Sequence, residues 1–163
     1  MTEPLISQAR SDADYATART LFEEYAAALG VDLCFQGFAA EPQNLPGLYG
    51  APSGCLLLAR AAAGVIGCVA VRRLRAHSCE LKRLYVRAAA RGTGLGRTLS
   101  VAAIGQARAL GYRHMLLDTL GSMRAARHLY QALGFRQIDA YYDNPLPDTV
   151  YMQLDLTPAG PRA

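Results

Sequence analysis

Between Cys79 and Thr119 the sequence alternates in an order that leaves few folds open. An apolar run, Cys79 to Val86, is followed five residues later by the glycine-rich segment Arg91-Gly92-Thr93-Gly94-Leu95-Gly96. Apolar positions then recur at Leu95, Leu99, Ala102, Ala103, Ala107 and Leu110, the spacing of one helical face, until Gly111 ends the pattern. A second apolar run, His114 to Thr119, completes the unit. Two strands joined through a helix lie parallel, because the crossover returns the chain to the same end of the sheet. The remaining apolar runs are spaced as hairpins: Cys55 to Arg60 and Val65 to Arg72 about a small-residue linker, then Phe135 to Tyr142 and Thr149 to Leu156 about the turn Asp-Asn-Pro-Leu-Pro-Asp. The expected fold class is therefore α/β with a mixed α+β sheet, antiparallel at its ends and parallel in its middle.

Two further helices are predicted. Ser11 or Asp12 can cap one from about Asp14 to Leu29, where Tyr15, Ala18, Leu21, Phe22, Tyr25, Ala26 and Leu29 share a face and Gly30 supplies the stop. The other runs from about Met123 to Leu133 and ends at Gly134. Between Gly37 and Gly54, three prolines and four glycines predict a long loop with one short helix inside it. A chain of 163 residues, 52% hydrophobic and 18% charged, suits one domain, 1–163, with a disordered tail from about residue 157. The longest nearly unbroken apolar stretch, Ala61 to Val71, falls short of the ~20 residues a membrane helix needs. No secretory pattern opens the chain, so a cytoplasmic location without a membrane partner is expected.

The cysteines Cys34, Cys55, Cys68 and Cys79 stand 21, 13 and 11 residues apart, without a CxxC pair or a histidine at ligand spacing, so neither metal nor disulfide is expected. Charge is distributed unevenly. Residues 1–50 hold seven acids and two bases, whereas 72–97 hold eight bases and one acid, a segment built to meet an anion. Only four Tyr or Phe occur from 72 to 135, with no stacking pattern, which disfavours nucleic acid. A compact phosphorylated cofactor fits better, since a glycine-rich turn opening a helix offers backbone N–H groups and the positive helix end. A phosphate loop of the Walker type would need Gly-Lys followed by Ser or Thr, and Arg97-Thr98 follows Gly96 instead. A dinucleotide fold would start its glycines directly on the strand and carry a third glycine at position 97; Asp118, at the distance of a ribose-binding acid, is expected to cap or end its strand.

Taken together, Glu80-Leu-Lys-Arg-Leu-Tyr-Val86, the RxxGxG run from Arg91 to Gly96 and AxxLYxxLGF from Ala126 to Phe135 resemble the GNAT acetyltransferase superfamily, over roughly residues 11–156. The resemblance implies a central sheet of about six to seven strands flanked by helices and splayed at its two central parallel strands. It implies acetyl-CoA as co-substrate, with no metal. Leu84 and Val86 would offer main-chain groups to the pantetheine arm and thioester, with Tyr85 in the same cofactor-binding stretch; Arg91, Gly92, Thr93, Gly94, Leu95 and Gly96 would hold the pyrophosphate, with Arg87, Arg91 and Arg97 as its charge complements. Glu80, 11 residues before Arg91, takes the position of the family's base, although a salt bridge with Lys82 or a neighbouring arginine explains it equally well. Tyr130 takes the position of the acid that protonates the leaving thiolate, and Met123 stands where an asparagine is common. A homodimer through the C-terminal strands also follows from the likeness.

Acceptor specificity in such proteins resides in the first helix with its following loop and in the last hairpin. Phe35, Gln36, Phe38, Tyr141 and Tyr142 are expected to wall the amine pocket, with Asp32 or Asp143 neutralising a cation, whereas Lys82 and Arg83 would suit a substrate that also bears a carboxylate. The expected activity is transfer of an acetyl group from acetyl-CoA directly to a primary amine of a small molecule or peptide. The alternatives are a catalytically silent acyl-CoA sensor and an NAD-dependent oxidoreductase.

Overall fold

The computed structural model describes residues 2–30 and 44–157. They form one seven-stranded sheet in the order β1-β2-β3-β4-β5-β7-β6, with helices on both faces. The strands are β1 (Leu5–Gln8), β2 (Cys55–Ala61), β3 (Gly64–Arg75), β4 (Ser78–Val86), β5 (His114–Leu120), β6 (Arg136–Ile138) and β7 (Thr149–Asp155). The helices are α1 (Asp12–Leu29), α2 (Leu45–Tyr49), α3 (Leu95–Ala109) and α4 (Arg124–Ala132), with a 3-10 turn at Ala88–Ala90. Every strand pairing is antiparallel except β4 with β5, the pair that the crossover helix α3 joins. The mixed sheet expected from the spacing of apolar runs is the sheet observed.

Period-two alternation divides the core into two layers. Cys55, Leu57, Val69, Val71, Cys79 and Leu81 face α3 and α4, where Leu95, Leu99, Ala103 and Ala107 cover them. Leu56, Leu58, Cys68 and Ala70 face the other way, onto Tyr15, Ala18, Leu21 and Phe22 of α1 and Leu45 and Tyr49 of α2. Helix α1 starts at a reciprocal cap in which the Ser11 hydroxyl accepts from the Asp14 N–H and the Asp14 carboxylate accepts from the Ser11 N–H. It ends at Gly30 in the left-handed region, φ 65°, as expected. An Arg60 to Asp14 ion pair ties that helix start to β2.

Three expectations change. Strand β1 carries too little apolar signal to be predicted: Leu5 is 66% exposed, and the segment is a strand only because the free edge of β2 pairs with it. The strand expected from Phe135 to Tyr142 shortens to Arg136–Ile138, after which 139–148 form a loop that places Tyr141 and Tyr142 beside the neighbouring strands. Asp118 lies inside β5, opposite Tyr151 of β7, and does not end the strand.

Leu99 is fully buried between α3 and the sheet. Leu99→Ala removes apolar contacts and leaves a cavity, so it should cost about 2–5 kcal/mol. Urea unfolding followed by circular dichroism would measure that loss.

Candidate active site

Strands β4 and β5 pair through Ser78↔His114, Cys79↔Met115 and Glu80↔Leu116, and no further. Both continue, β4 to Val86 and β5 to Leu120, so beyond Glu80 they part. A bulge accompanies the opening: Cys68 of β3 opposes Tyr85 and Ala70 opposes Lys82, leaving two β4 residues against one of β3. Arg83, in the bulge, has φ 58°, a left-handed conformation unusual for a residue with a side chain. The gap is a pocket walled by Leu81 to Leu84 of β4, Asp118 to Leu120 of β5, Tyr25 of α1, Tyr130 of α4, and Asn144 and Leu146 of the β6–β7 loop.

The glycine-rich loop stands against α4, the helix that brings Tyr130 to the pocket. Gly92 and Gly94 have φ of 77° and 85°, conformations that require glycine, and a Cβ at either would meet nothing within 4 Å. Helix α3 starts at Leu95 without any side-chain cap, so its first N–H groups have no side-chain acceptor, the condition for seating an anion. The turn is braced internally: the Arg91 N–H donates to the Ala88 carbonyl, Arg91 Nε to the Val86 carbonyl at 3.0 Å, and the Thr93 hydroxyl to the Ala90 carbonyl at 2.6 Å. Arg97 is exposed on the first turn of α3. A Cβ at Gly96 would sit 3.6 Å from Leu129, so α4 touches the loop with Leu129 and lines the pocket with Ala126 and Tyr130.

Leu84 and Val86 pack, partly buried, toward α3 and α4. Tyr85 turns to the α1 side, edge-on to Tyr25 at 6.0 Å, with the Arg91 guanidinium 5.9 Å from its ring. Arg87 is engaged with Glu24 of α1 at 2.7 Å.

Glu80 is 1% exposed and both its oxygens are occupied. Arg72 donates to Oε1 at 2.8 Å and the Tyr141 hydroxyl to Oε2 at 2.6 Å. Burial alone would raise its pKa, but the charges of Lys82 and Arg72 and these hydrogen bonds outweigh it and hold the carboxyl below its ordinary value. Lys82 is 6% exposed, and burial, opposed by Glu80 and Asp118, leaves its ammonium with a lowered pKa. Tyr130 is 6% exposed, tilted against Phe135 at 5.6 Å, and burial raises its pKa, so it keeps its proton at neutral pH.

The Tyr142 hydroxyl donates to Asp118 at 2.9 Å and accepts from Asn144 at 2.8 Å, so it reaches the pocket through its neighbours. Phe35, Gln36 and Phe38, expected to wall the amine pocket, and Asp32, expected to meet a cation there, lie outside the described residues. Cys79 faces away from Glu80 and, like Cys68, has its thiol pushed by burial up to about 12, which leaves it inert as a nucleophile. Sequence reasoning placed Tyr141 on the wall of the amine pocket but not on Glu80, and it missed Arg72 and the pocket position of Asp118. Asp118 had a signal, as the single charged position in an apolar strand; Arg72 and Tyr141 acquire their meaning only through contacts across the sheet.

Comparison with known proteins agrees with this geometry. Residues 52–137 match the acetyltransferase (GNAT) domain family. An uncharacterized N-acetyltransferase of Schizosaccharomyces pombe is 40% identical over 154 residues, 93% of this chain and 94% of that protein. A GNAT-family acetyltransferase from Staphylococcus aureus Mu50 shares the fold with a TM-score of 0.78 at 18% identity, over 94% of this chain and 99% of that one. The yncA structure from Salmonella typhimurium, solved with its cofactor acetyl-CoA, has a TM-score of 0.68 at 25% identity and covers 99% of both chains.

The ionic state of Glu80 has a consequence for stability. A carboxylate with a depressed native pKa stabilises the fold above its unfolded value, ordinarily 4.5, and loses that contribution as pH falls through the native value. Glu80→Gln should therefore unfold more easily than wild type at pH 7, with the difference shrinking as pH falls below about 4.5. Urea titrations between pH 7 and 3 would show it.

Proposed function

Because this chain belongs to the GNAT acetyltransferases and is an acetyl-CoA-dependent acyltransferase, we propose that it moves the acetyl group directly onto a primary amine of a small molecule or peptide bound in the gap between β4 and β5. The observation that carries this reading is the coincidence of that gap with the glycine-rich start of α3, both touched by one helix, α4. A phosphorylated carrier fits the loop: the open space beside Gly92 and Gly94, the uncapped helix start, and Arg91 and Arg97 supply room, donors and positive charge. Bound there, acetyl-CoA supplies an activated thioester.

The remaining work falls to this chain's own backbone and side chains. On the arm of β4 that has left β5, main-chain groups of Leu84 and Val86 would hydrogen-bond along the gap, the Val86 carbonyl excepted because it accepts from Arg91 Nε. A backbone donor at that arm would stabilise the oxyanion that develops at the carbonyl. An amine attacks only when neutral, and its proton must go to a base. We assign that role to Glu80, held as a carboxylate, with the Tyr141 hydroxyl relaying: it gives its proton to Glu80 and takes the one from the amine. Tyr130, kept protonated by burial, donates to the departing thiolate.

Two outcomes test the arrangement. Gly94→Asp places a side chain and a negative charge beside the loop, and calorimetry should show acetyl-CoA affinity reduced by at least about 100-fold, some 2.7 kcal/mol. Tyr130→Phe should lower kcat on the order of 100-fold while leaving acetyl-CoA affinity within about twofold; unchanged kcat would remove Tyr130 as the acid.

A further inference from the structure

Where β4 gives way to the glycine-rich turn, its last side chains are tied to α1. Arg87 lays one side of its guanidinium against the Glu24 carboxylate, Nε donating to Oε2 at 3.0 Å and Nη2 to Oε1 at 2.7 Å, while Nη1 donates to the Val65 carbonyl of β3 at 2.8 Å. A two-point fork of this kind fixes orientation as well as distance, which the point charge of a lysine would not. The Arg87 N–H donates in turn to the Ile66 carbonyl at 2.9 Å, so one residue fastens the end of β4 to both β3 and α1. Two residues back, Tyr85 sets its ring edge-on to Tyr25, the neighbour of Glu24, with centroids 6.0 Å apart. The hydrogen bond from Arg87 holds the Glu24 carboxyl below its ordinary value against the opposing effect of burial, so the pair is ionised at neutral pH.

These contacts join two parts of the site. The Leu84 to Val86 arm of β4 borders the gap without β5 beside it, and α1 contributes Tyr25 and Leu29 to the pocket wall. Beyond Arg87 the chain enters the turn through Arg91, whose Nε holds the Val86 carbonyl at 3.0 Å. With side chains 37% and 35% exposed, the Arg87–Glu24 pair adds little to stability, since solvent screens such an attraction. Its geometry serves placement instead. We infer that Glu24 and Arg87 are positioning residues for the transfer reaction: together they hold the Leu84 to Val86 arm at a set distance from α1, so that its main-chain groups meet acetyl-CoA in register. This rests on the transferase reading above and adds to it two residues that touch neither substrate. It also gives Arg87 a different part from the charge complement of the pyrophosphate that its place before the turn suggests, because its guanidinium is engaged by Glu24 and Val65. Hydrogen bonds weaken steeply away from their preferred length and angle, so a small shift of the arm is felt in binding.

Acetyl-CoA is the probe, so the acceptor amine need not be known. Its affinity for the full chain is measured by calorimetry for wild type, Glu24→Gln, Arg87→Lys, Arg87→Met and the double variant Glu24→Gln/Arg87→Met, with urea unfolding alongside. Glutamine keeps the size of Glu24 but offers the fork one acceptor and one donor, and lysine keeps the charge of Arg87 without the fork. Each single variant should raise the acetyl-CoA Kd by about tenfold. The double variant should bind no more weakly than the weaker of its two parents, because both changes break one unit. Urea midpoints should move by less than about 0.5 M. A brace that serves folding alone gives the reverse, lowered midpoints with Kd unchanged, and overturns the proposal. Arg87 acting as a charge for the phosphates overturns it too: Glu24→Gln would then free Arg87 and leave affinity equal or tighter, and Arg87→Lys would bind like wild type. Should Arg87→Met fail to fold, Glu24→Gln and Arg87→Lys decide. Either reversal leaves the transferase reading intact, whereas a wild-type chain that binds no acetyl-CoA removes that reading and the proposal together.

Discussion

The parting of β4 from β5 is the constraint on which the rest of the molecule depends. A parallel pair in mid-sheet normally stays hydrogen-bonded along its length, and breaking it leaves main-chain donors and acceptors without partners. Here the pairing stops at Glu80↔Leu116, six residues before β4 ends. The sheet tolerates this because β3 keeps its ladder to β4 as far as Gly67↔Val86, and β7 keeps its ladder to β5 over the whole strand. Each arm is thus held from its outer side, and beyond Glu80 the two strands border the gap without pairing across it. The bulge at Arg83 belongs to the same device, since it lets β4 bend away while remaining paired to β3.

Polar burial follows from that opening. Glu80, Lys82 and Arg83 occupy consecutive or alternate positions on a central strand and are each at most 6% exposed, where apolar residues would ordinarily stand. Charges so placed are tolerated only within a network, and Arg72, Tyr141 and Asp118 provide it from three neighbouring segments. The aromatic cluster of Tyr141, Tyr142 and Tyr151, with ring centroids 5.3 to 5.6 Å apart, anchors the last loop against the sheet and delivers two hydroxyls to these carboxylates. The loop is therefore part of the site's electrostatics as well as its wall.

Much of this was legible in the residues. Hairpin spacing and the single crossover foretold the mixed sheet, and Gly30 and the glycine-rich turn foretold where helices stop and start. Glu80, Lys82 and Tyr130 stood out by type and position. Strand β1 did not, because its pairing is supplied by an edge of β2 formed from residues about 50 positions away. The length of β6 was overestimated for a related reason: the alternation continues in the sequence to Tyr142, but those tyrosines are drawn off the strand by Asp118 and Glu80.

By itself the sequence determined the order of elements, the parallel central pair and the position of the glycine-rich turn, because these rest on local periodicity and on backbone conformations only glycine adopts freely, and it carried the family through the likeness of its three motifs. The tertiary structure alone decided which charges meet. Arg72 is eight residues from Glu80 and Tyr141 sixty-one, yet all three share one carboxylate, and Arg83 joins Lys82 on the pocket wall through a bulge that no alternation pattern announces. Such pairings depend on register between strands and on the path of a loop, and a Coulomb interaction is set by distance in space rather than by separation along the chain.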